Sequence, residues 1–303
     1  MTLRSLIPLM LAMVLAPFLQ GIINRTKAIA AGRVGQPLLQ TYYDLSKLLR
    51  KGAVYSETTT WIFRGGPVIG LASMICALAL LPFGAFPALA PFSGDLVMVA
   101  YLLALARFFT VLAALDTGSS FEAMGASREV TFSALAEPAL FLGLAALARQ
   151  TGTLSLTPML GSVSAVMWMR AAPALSLIVA GLGIVILAEN ARIPVDDPMT
   201  HLELTMIHEV MVLDHSGPDF AMIQYAAALK MWLLGTVIVA IAVPWHSGHL
   251  VLDGGFAIAA MVGLAVVTGV IESSMARLQL LRVTQLLIAA SVLSGLALAL
   301  VQR

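Results

Sequence analysis

The feature that most constrains the fold of this sequence is a series of eight long apolar stretches. They cover about residues 3–22, 67–90, 96–115, 130–149, 171–189, 222–244, 254–272 and 284–301. Each is close to the roughly 20 residues that an α-helix needs to cross a bilayer. Only 11% of the 303 residues are charged, whereas soluble domains carry about 25%. We therefore expect an all-α, polytopic membrane protein that folds as a single transmembrane domain over residues 1–303.

The basic residues divide unevenly between the two sides of such a bundle. If the N-terminus is outside, the cytoplasmic loops hold 11 of them: Arg25, Lys27, Arg33, Lys47, Arg50, Lys51, Arg64, Arg128, Arg192, Arg277 and Arg282. The other side holds four: Arg4, Arg149, Arg170 and Arg303. Because Lys and Arg concentrate on the cytoplasmic side, we expect both termini outside. The alternative, a cleaved signal peptide over residues 1–22, would place the basic loop 24–64 outside.

Several classes of function have no support in the sequence. There is no basic patch with interleaved aromatic residues, so we expect no nucleic-acid partner. The single cysteine, Cys76, lies in an apolar run and is expected to pack. The run HEVMV at His208 begins like a zinc-protease motif but has Val212 where the second histidine belongs, so we expect no metal site. We also find no catalytic serine motif and no phosphate-binding loop.

One loop, between the fifth and sixth apolar stretches, gathers titratable side chains. Glu189, Asp196, His201, Glu203 and Glu209 all fall between residues 188 and 217. Carboxylates near a low-dielectric region and histidines with an ordinary pKa near 6.5 form a graded series of proton acceptors. Taken as a set, these residues favour a role in ion transfer, although each could alone be a solvated loop charge.

The fourth apolar stretch carries a carboxylate of its own. Glu137 is expected about two turns into this span, after the loop that contains Arg128 and Glu129. A carboxylate at that depth is costly unless it faces protein or water. It could relay protons, or it could hydrogen-bond a neighbouring helix.

A second polar segment, the loop 24–64, has leucines at helical spacing from Leu38 to Leu49, which is typical of a helix at the membrane interface.

Several motifs together resemble one known family. The run ENARIPVD from Glu189 to Asp196, followed by Glu203, resembles the E…R-x-P-F-D…E-x-E-L signature of the quinone-chamber membrane subunit of respiratory NADH–quinone oxidoreductase. RVGQPLLQTYYDLSKLLRKG is similar to that family's first cytoplasmic loop. LDTGSSFEAMGASRE and ESSMARLQLLR resemble the branch that contains formate hydrogenlyase, hydrogenase-4 component C and the group 4 membrane-bound nickel–iron hydrogenases.

The resemblance implies a membrane-anchoring and ion-coupling subunit of an oxidoreductase complex. Its implied cytoplasmic partners are the large and small hydrogenase subunits and an iron–sulfur subunit. In the membrane, its implied partners are antiporter-like subunits and lipid. The iron–sulfur clusters and the nickel–iron centre would lie in the partners, and this chain would bind no cofactor. The implied location is the cell inner membrane, as a multi-pass protein.

The resemblance and the cluster of titratable groups together indicate roles for individual residues, with His201 and Glu209 coming from the cluster alone. The ion-transfer candidates are Glu129, Glu137, Glu189, Asp196, His201, Glu203 and Glu209, and the loop-structuring candidates are Arg128, Arg192 and Pro194. We expect Arg192 to pair with a carboxylate. Met199, His201 and Val195 depart from the quinone-reducing branch and favour the hydrogenase branch. A quinone-site subunit, with bound quinone, is the first alternative, and a stand-alone secondary transporter is the second.

Overall fold

The helices of the computed structural model follow the apolar stretches. The structure describes residues 3–196 and 206–301, which fold as helices and connecting loops apart from one isolated bridge between Phe83 and Phe86. The described helices are α1 (Leu3–Ala30), α2 (Gln40–Leu49), α3 (Trp61–Ala79), α4 (Asp95–Asp116), α5 (Ser120–Thr151), α6 (Leu156–Gly161), α7 (Ala165–Glu189), α8 (Gly217–Ala242), α9 (Leu250–Ser274) and α10 (Leu280–Val301). All but α2 and α6 are long and apolar enough to cross a membrane. The prediction of an all-α protein with about eight spans is thus confirmed.

The second span is shorter than the sequence predicted. α3 ends at Ala79 and does not continue to residue 90. Prolines at positions 82, 87 and 91 follow it, and a proline cannot donate a backbone hydrogen bond to continue a helix. The chain instead folds back, and the ring of Phe83 packs 5.2 Å from that of Trp232 on α8.

The fourth span is longer than predicted and starts about ten residues earlier. We expected Arg128 and Glu129 in a loop before residue 130, but α5 begins at Ser120 and includes both. Arg128 bonds to the Met206 carbonyl and Glu129 pairs with Arg107, so both polar side chains are satisfied within the bundle. The fifth span also starts early, at Ala165; the predicted start at residue 171 coincides with a kink, where Ala171 has non-helical dihedral angles and Pro173 follows.

The amphipathic segment forms α2, which lies against α1 and α8. α1 contains Pro17, which has no N–H to donate to the carbonyl of Met13. The hydroxyl of Tyr225 on α8 donates to that carbonyl at 2.7 Å. The hydroxyl of Tyr42 on α2 donates to the next carbonyl, that of Val14. Two tyrosines from distant parts of the chain therefore bind the backbone of α1 beside Pro17.

Two glycines allow close packing, one between α9 and α1 and the other between α5 and the segment that carries His208. A Cβ atom at Gly269 on α9 would lie 2.7 Å from Cβ of Thr26 on α1, so only glycine lets these helices approach as they do. A Cβ atom at Gly125 on α5 would lie 2.3 Å from Val210 and 3.1 Å from the carbonyl of Ile207. The segment that carries His208 can therefore lie directly on α5.

Candidate functional site

Arg107 is the centre of a group of ion pairs inside the helix bundle. It lies near the middle of α4, and its side chain is only 12% exposed. Its Nε is 3.2 Å from Glu129 Oε1, and a terminal nitrogen contacts Glu137 on the same helix, α5. The other terminal nitrogen is 2.6 Å from both carboxylate oxygens of Glu189, at the end of α7. One guanidinium thus joins three carboxylates, as five donors in a planar fork allow.

A second cation reaches the same group from α8. Lys230 lies near the middle of this helix, and its Nζ is 2.6 Å from Glu189 Oε2. An amine or guanidinium within an apolar span is costly unless it is paired. Glu189 meets this need for both Lys230 and Arg107.

His208 links Glu129 on α5 to Asp196 in the loop after α7, and Asp196 in turn contacts the loop after α9. Its Nε2 is 3.0 Å from Glu129 Oε2, and its Nδ1 is 3.5 Å from Asp196 Oδ2. Asp196 Oδ1 lies 3.1 Å from a terminal nitrogen of Arg277, in the loop between α9 and α10. Asp196 Oδ2 also accepts hydrogen bonds from the backbone N–H groups of residues 207 and 208, both at 3.2 Å.

These contacts form one continuous path, which we call the ion-pair chain. Its members are Lys230, Glu189, Arg107, Glu137, Glu129, His208, Asp196 and Arg277. It has four carboxylates, three permanent cations and one histidine. With His208 protonated, the four positive and four negative charges balance. The ion-pair chain runs from the loops at Asp196 and Arg277 to the centres of α4, α5 and α8.

The charge of His208 depends on its two carboxylate neighbours. Burial favours the neutral ring, but the attraction and hydrogen bonding of Glu129 and Asp196 outweigh it and raise the pKa of His208 to about 10. Burial alone would also raise the pKa of Asp196, but His208 and Arg277 hold that pKa below its ordinary value. Near neutral pH the contact is therefore between an imidazolium and carboxylates.

A pH dependence follows from the raised pKa of His208. The protonated ring stabilises the folded chain fully below its ordinary pKa of 6.5, and this stabilisation is lost as the pH rises through about 10. We expect thermal denaturation of the purified complex to show a lower melting temperature at pH 10 than at pH 7. His208→Gln should lack the part of this change that comes from His208, whereas His246→Gln, at an exposed histidine, should behave as wild type. Equal pH profiles for wild type and His208→Gln would contradict the assignment.

The segment that carries His208 is fixed to α5 by polar contacts. A terminal nitrogen of Arg128 donates to the carbonyl of Met206 at 2.9 Å. Glu122 Oε1 accepts from the N–H of Asp214 at 3.0 Å. Glu209 begins the short 3-10 helix Glu209–Val212 directly after His208. These contacts hold the imidazole between Glu129 and Asp196.

A second buried ion group lies beside the first. Glu272 on α9 has a fully buried side chain, with Oε2 2.7 Å from Lys27 Nζ on α1 and Oε1 3.3 Å from a terminal nitrogen of Arg192. The expected pairing of Arg192 with a carboxylate is confirmed. The carbonyl of Pro194 accepts from the N–H of Leu278 at 2.9 Å. The loop that contains Arg192, Pro194 and Asp196 is thus bound to both ends of the α9–α10 connection.

The structure brings together four of the predicted ion-transfer residues: Glu129, Glu137, Glu189 and Asp196. His201 and Glu203 lie outside the described residues. Arg107 and Lys230 lie inside the third and sixth apolar stretches, and the sequence analysis did not include them in the site. The rule that an intramembrane cation needs a carboxylate partner could have found both. No group of three or more His, Cys, Asp or Glu side chains within residues 3–196 and 206–301 is arranged to hold a metal ion.

Comparison with known proteins gives consistent similarities over almost the whole chain. The family described as NADH dehydrogenase matches residues 3–302. Formate hydrogenlyase subunit 4 of Escherichia coli (strain K12) is 32% identical over 284 residues, covering 91% of each chain. Hydrogenase-4 component C of the same strain is 33% identical over 236 residues, covering 77% of this chain and 72% of that one.

A solved structure shows the same fold at lower sequence identity. A chain in the membrane-bound sulfane sulfur reductase, an archaeal respiratory membrane complex, aligns with a TM-score of 0.82 and 21% identity. The alignment covers 97% of this chain and 98% of that one. The arrangement of eight spans is therefore shared nearly from end to end.

Proposed function

Because this chain belongs to the NADH dehydrogenase family, we propose that it is the membrane-anchoring and ion-coupling subunit of a group 4 nickel–iron hydrogenase complex. It is a multi-pass membrane protein, and its relatives include subunits named for formate hydrogenlyase and hydrogenase-4. The proposed role is to link electron transfer in a soluble hydrogenase module to the movement of protons or sodium ions. The continuous ion-pair chain is the observation that carries this proposal.

The ion-pair chain suits a relay because each member has a partner of opposite charge. Protonation of one carboxylate removes its attraction for the neighbouring cation, which then favours the next carboxylate. A change at Asp196 can pass in this way through His208 and Glu129 to Arg107. The groups are fixed on several elements by contacts of 3.5 Å or less, so a charge change needs only small side-chain movements.

An electron that arrives in the soluble module could start such a change. A unit charge about 10 Å from a carboxylate contributes roughly 1.7 kcal/mol at an effective dielectric constant of about 20. That corresponds to a little over one pKa unit. The loop around Asp196 is the part of the chain that we propose receives the soluble module, with Arg192 and Pro194 fixing its shape.

Glu137, which branches from the ion-pair chain at Arg107, indicates a partner in the membrane. Glu137 is the 18th residue of the 32-residue α5, yet its side chain is 37% exposed at the surface of the chain. A carboxylate exposed to lipid at this depth would be strongly unfavourable. We therefore propose that another membrane subunit covers α4 and α5 around Glu137 and continues the path.

The decisive experiment is the substitution Glu137→Gln, which keeps the side-chain volume and removes the titratable group. The assembled complex should keep hydrogenase activity with an artificial electron donor, because no redox group is touched. Ion translocation in vesicles should fall about tenfold or more, since the proton-transfer group is lost.

Glu57→Gln is the matched control, because Glu57 is exposed in the loop before α3. It should leave both activities unchanged. Unchanged translocation in Glu137→Gln would refute a relay through this residue. Loss of assembly in Glu137→Gln would show that the residue holds subunits or helices together.

A further inference from the structure

Most carboxylate oxygens of the ion-pair chain already face N–H donors. Glu129 contacts Arg107 through Oε1 and His208 through Oε2. Both oxygens of Glu189 lie 2.6 Å from a terminal nitrogen of Arg107, and Oε2 also lies 2.6 Å from Lys230 Nζ. A hard cation such as sodium needs several oxygen atoms directed at one point, and these oxygens are directed at nitrogen atoms instead. A proton needs only one carboxylate oxygen.

Arg107 itself cannot pass a proton on. A guanidinium keeps its protons in proteins, so it donates hydrogen bonds without changing its charge. The Nε that contacts Glu129 and the terminal nitrogen that contacts Glu189 lie on the same edge of this planar group. The two carboxylates therefore stand side by side, with Arg107 against both. A proton that moves from Glu129 to Glu189 must go around Arg107.

A small cavity beside the two carboxylates offers such a route. Its volume is about 10 Å³, and its polar lining residues are Glu129, Ser133, Glu189 and His208. A cavity of roughly 10–15 Å³ is the smallest that holds one water molecule, which needs two to four polar partners. The hydroxyl of Ser133 donates to the carbonyl of Val130 at 3.1 Å. Its lone pairs can therefore accept a hydrogen bond from such a water.

A second cavity continues this route towards the surface of the chain. It also has a volume of about 10 Å³, and its polar lining residues are Arg107, Glu137 and Glu189. The two cavities therefore share Glu189. A proton on Glu189 has a one-water path to Glu137, whose side chain is 37% exposed.

We propose that the ion carried through this chain is the proton and not sodium, and that it passes Arg107 through one water molecule held by Ser133 between Glu129 and Glu189. This inference rests on the proposed ion-coupling function and names its ion. In the transfer step, the carboxylic acid proton of Glu129 passes to the water oxygen while one proton of the water passes to a carboxylate oxygen of Glu189. The water is restored, and Arg107 keeps its charge throughout.

Ser133→Val in the assembled complex tests the water site. The change removes the hydroxyl and fills the cavity with two methyl groups. The number of ions translocated per electron transferred, measured in vesicles, should fall about tenfold. High-resolution cryo-electron microscopy should show one water in contact with Ser133 in the wild-type complex and an occupied, dry cavity in the variant.

Ser127→Val is the matched control, because Ser127 is exposed on the same helix and does not line the cavity. It should keep both the water and the translocation ratio. If Ser133→Val prevents assembly, Ser133→Ala takes its place and should lower the ratio about fivefold through the loss of one hydrogen bond. A dry cavity in wild type, or an unchanged ratio in the Ser133 variant, would overturn the proposed route.

Infrared difference spectra between the oxidised and the dithionite-reduced complex test the identity of the ion. We expect carboxylic acid bands that shift in D₂O, change in Ser133→Val and stay the same when potassium replaces sodium in the buffer. Carboxyl bands that require sodium would overturn the proton assignment and leave the relay in place. Unchanged translocation in Glu137→Gln would instead remove the relay itself, so the two failures are distinguishable.

Discussion

Arg107→Gln is expected to destabilise this protein by about 3 kcal/mol, because breaking a buried ion pair leaves an uncompensated charge. Glu189 would retain Lys230, and Glu129 would retain His208. Glu137 would lose the cation that it contacts in the structure. Because the Glu137 side chain is 37% exposed, the loss of folding free energy should lie at the lower end of the range for buried ion pairs. The free energy of unfolding in detergent and the yield of assembled complex measure the effect.

The double substitution Arg107→Gln with Glu137→Gln tests whether the lost stability comes from the unpaired charge of Glu137 or from the altered side-chain packing. It removes one positive and one negative charge and leaves the other pairs in place. We expect it to recover more than half of the lost stability. Stability of Arg107→Gln within about 1 kcal/mol of wild type, the range of an exposed pair, would show that Arg107 is not the centre of a desolvated group.

Glu272→Gln is expected to cost roughly 3–5 kcal/mol, because it leaves the buried guanidinium of Arg192 without its carboxylate. It also leaves two cations, Arg192 and Lys27, close together around a neutral side chain. The loop 190–196 should lose its fixed position. Lower yield of the assembled complex and faster hydrogen exchange in this loop would report the change.

Lys27→Gln is the matched control for this group. Its side chain is 25% exposed, and Glu272 would still pair with Arg192. We expect a cost of about 1 kcal/mol or less. The replacement of both Arg192 and Glu272 by methionine should be milder than Glu272→Gln, because apolar residues can replace a buried pair. A cost for Lys27→Gln equal to that of Glu272→Gln would contradict this account.

The sequence predicted the eight spans because apolar length in a membrane protein is almost independent of tertiary contacts. It did not predict the start of α5, because Glu122, Arg128 and Glu129 have the composition of a loop. Their partners are Asp214, Met206 and Arg107, which are distant in sequence. Tertiary pairing therefore decides this helix boundary.

The site was predicted in part for the same reason. Glu137 and Glu189 stand out as carboxylates within or beside apolar spans, and Asp196 lies in a recognisable motif. The sequence does not show that Glu189 meets both Arg107 and Lys230, or that His208 joins Glu129 to Asp196. These pairings depend on how α4, α5, α7 and α8 pack, which span-by-span reasoning does not determine.

Pro17 in α1 has a consequence for the biogenesis of the protein. The Met13 carbonyl receives the hydroxyl of Tyr225, which lies 212 residues later in the chain. At a synthesis rate of about 5–20 residues per second, α1 waits roughly 10–40 s for this donor. The first span therefore reaches its final state only after the sixth has been made, which gives membrane insertion a defined order of completion.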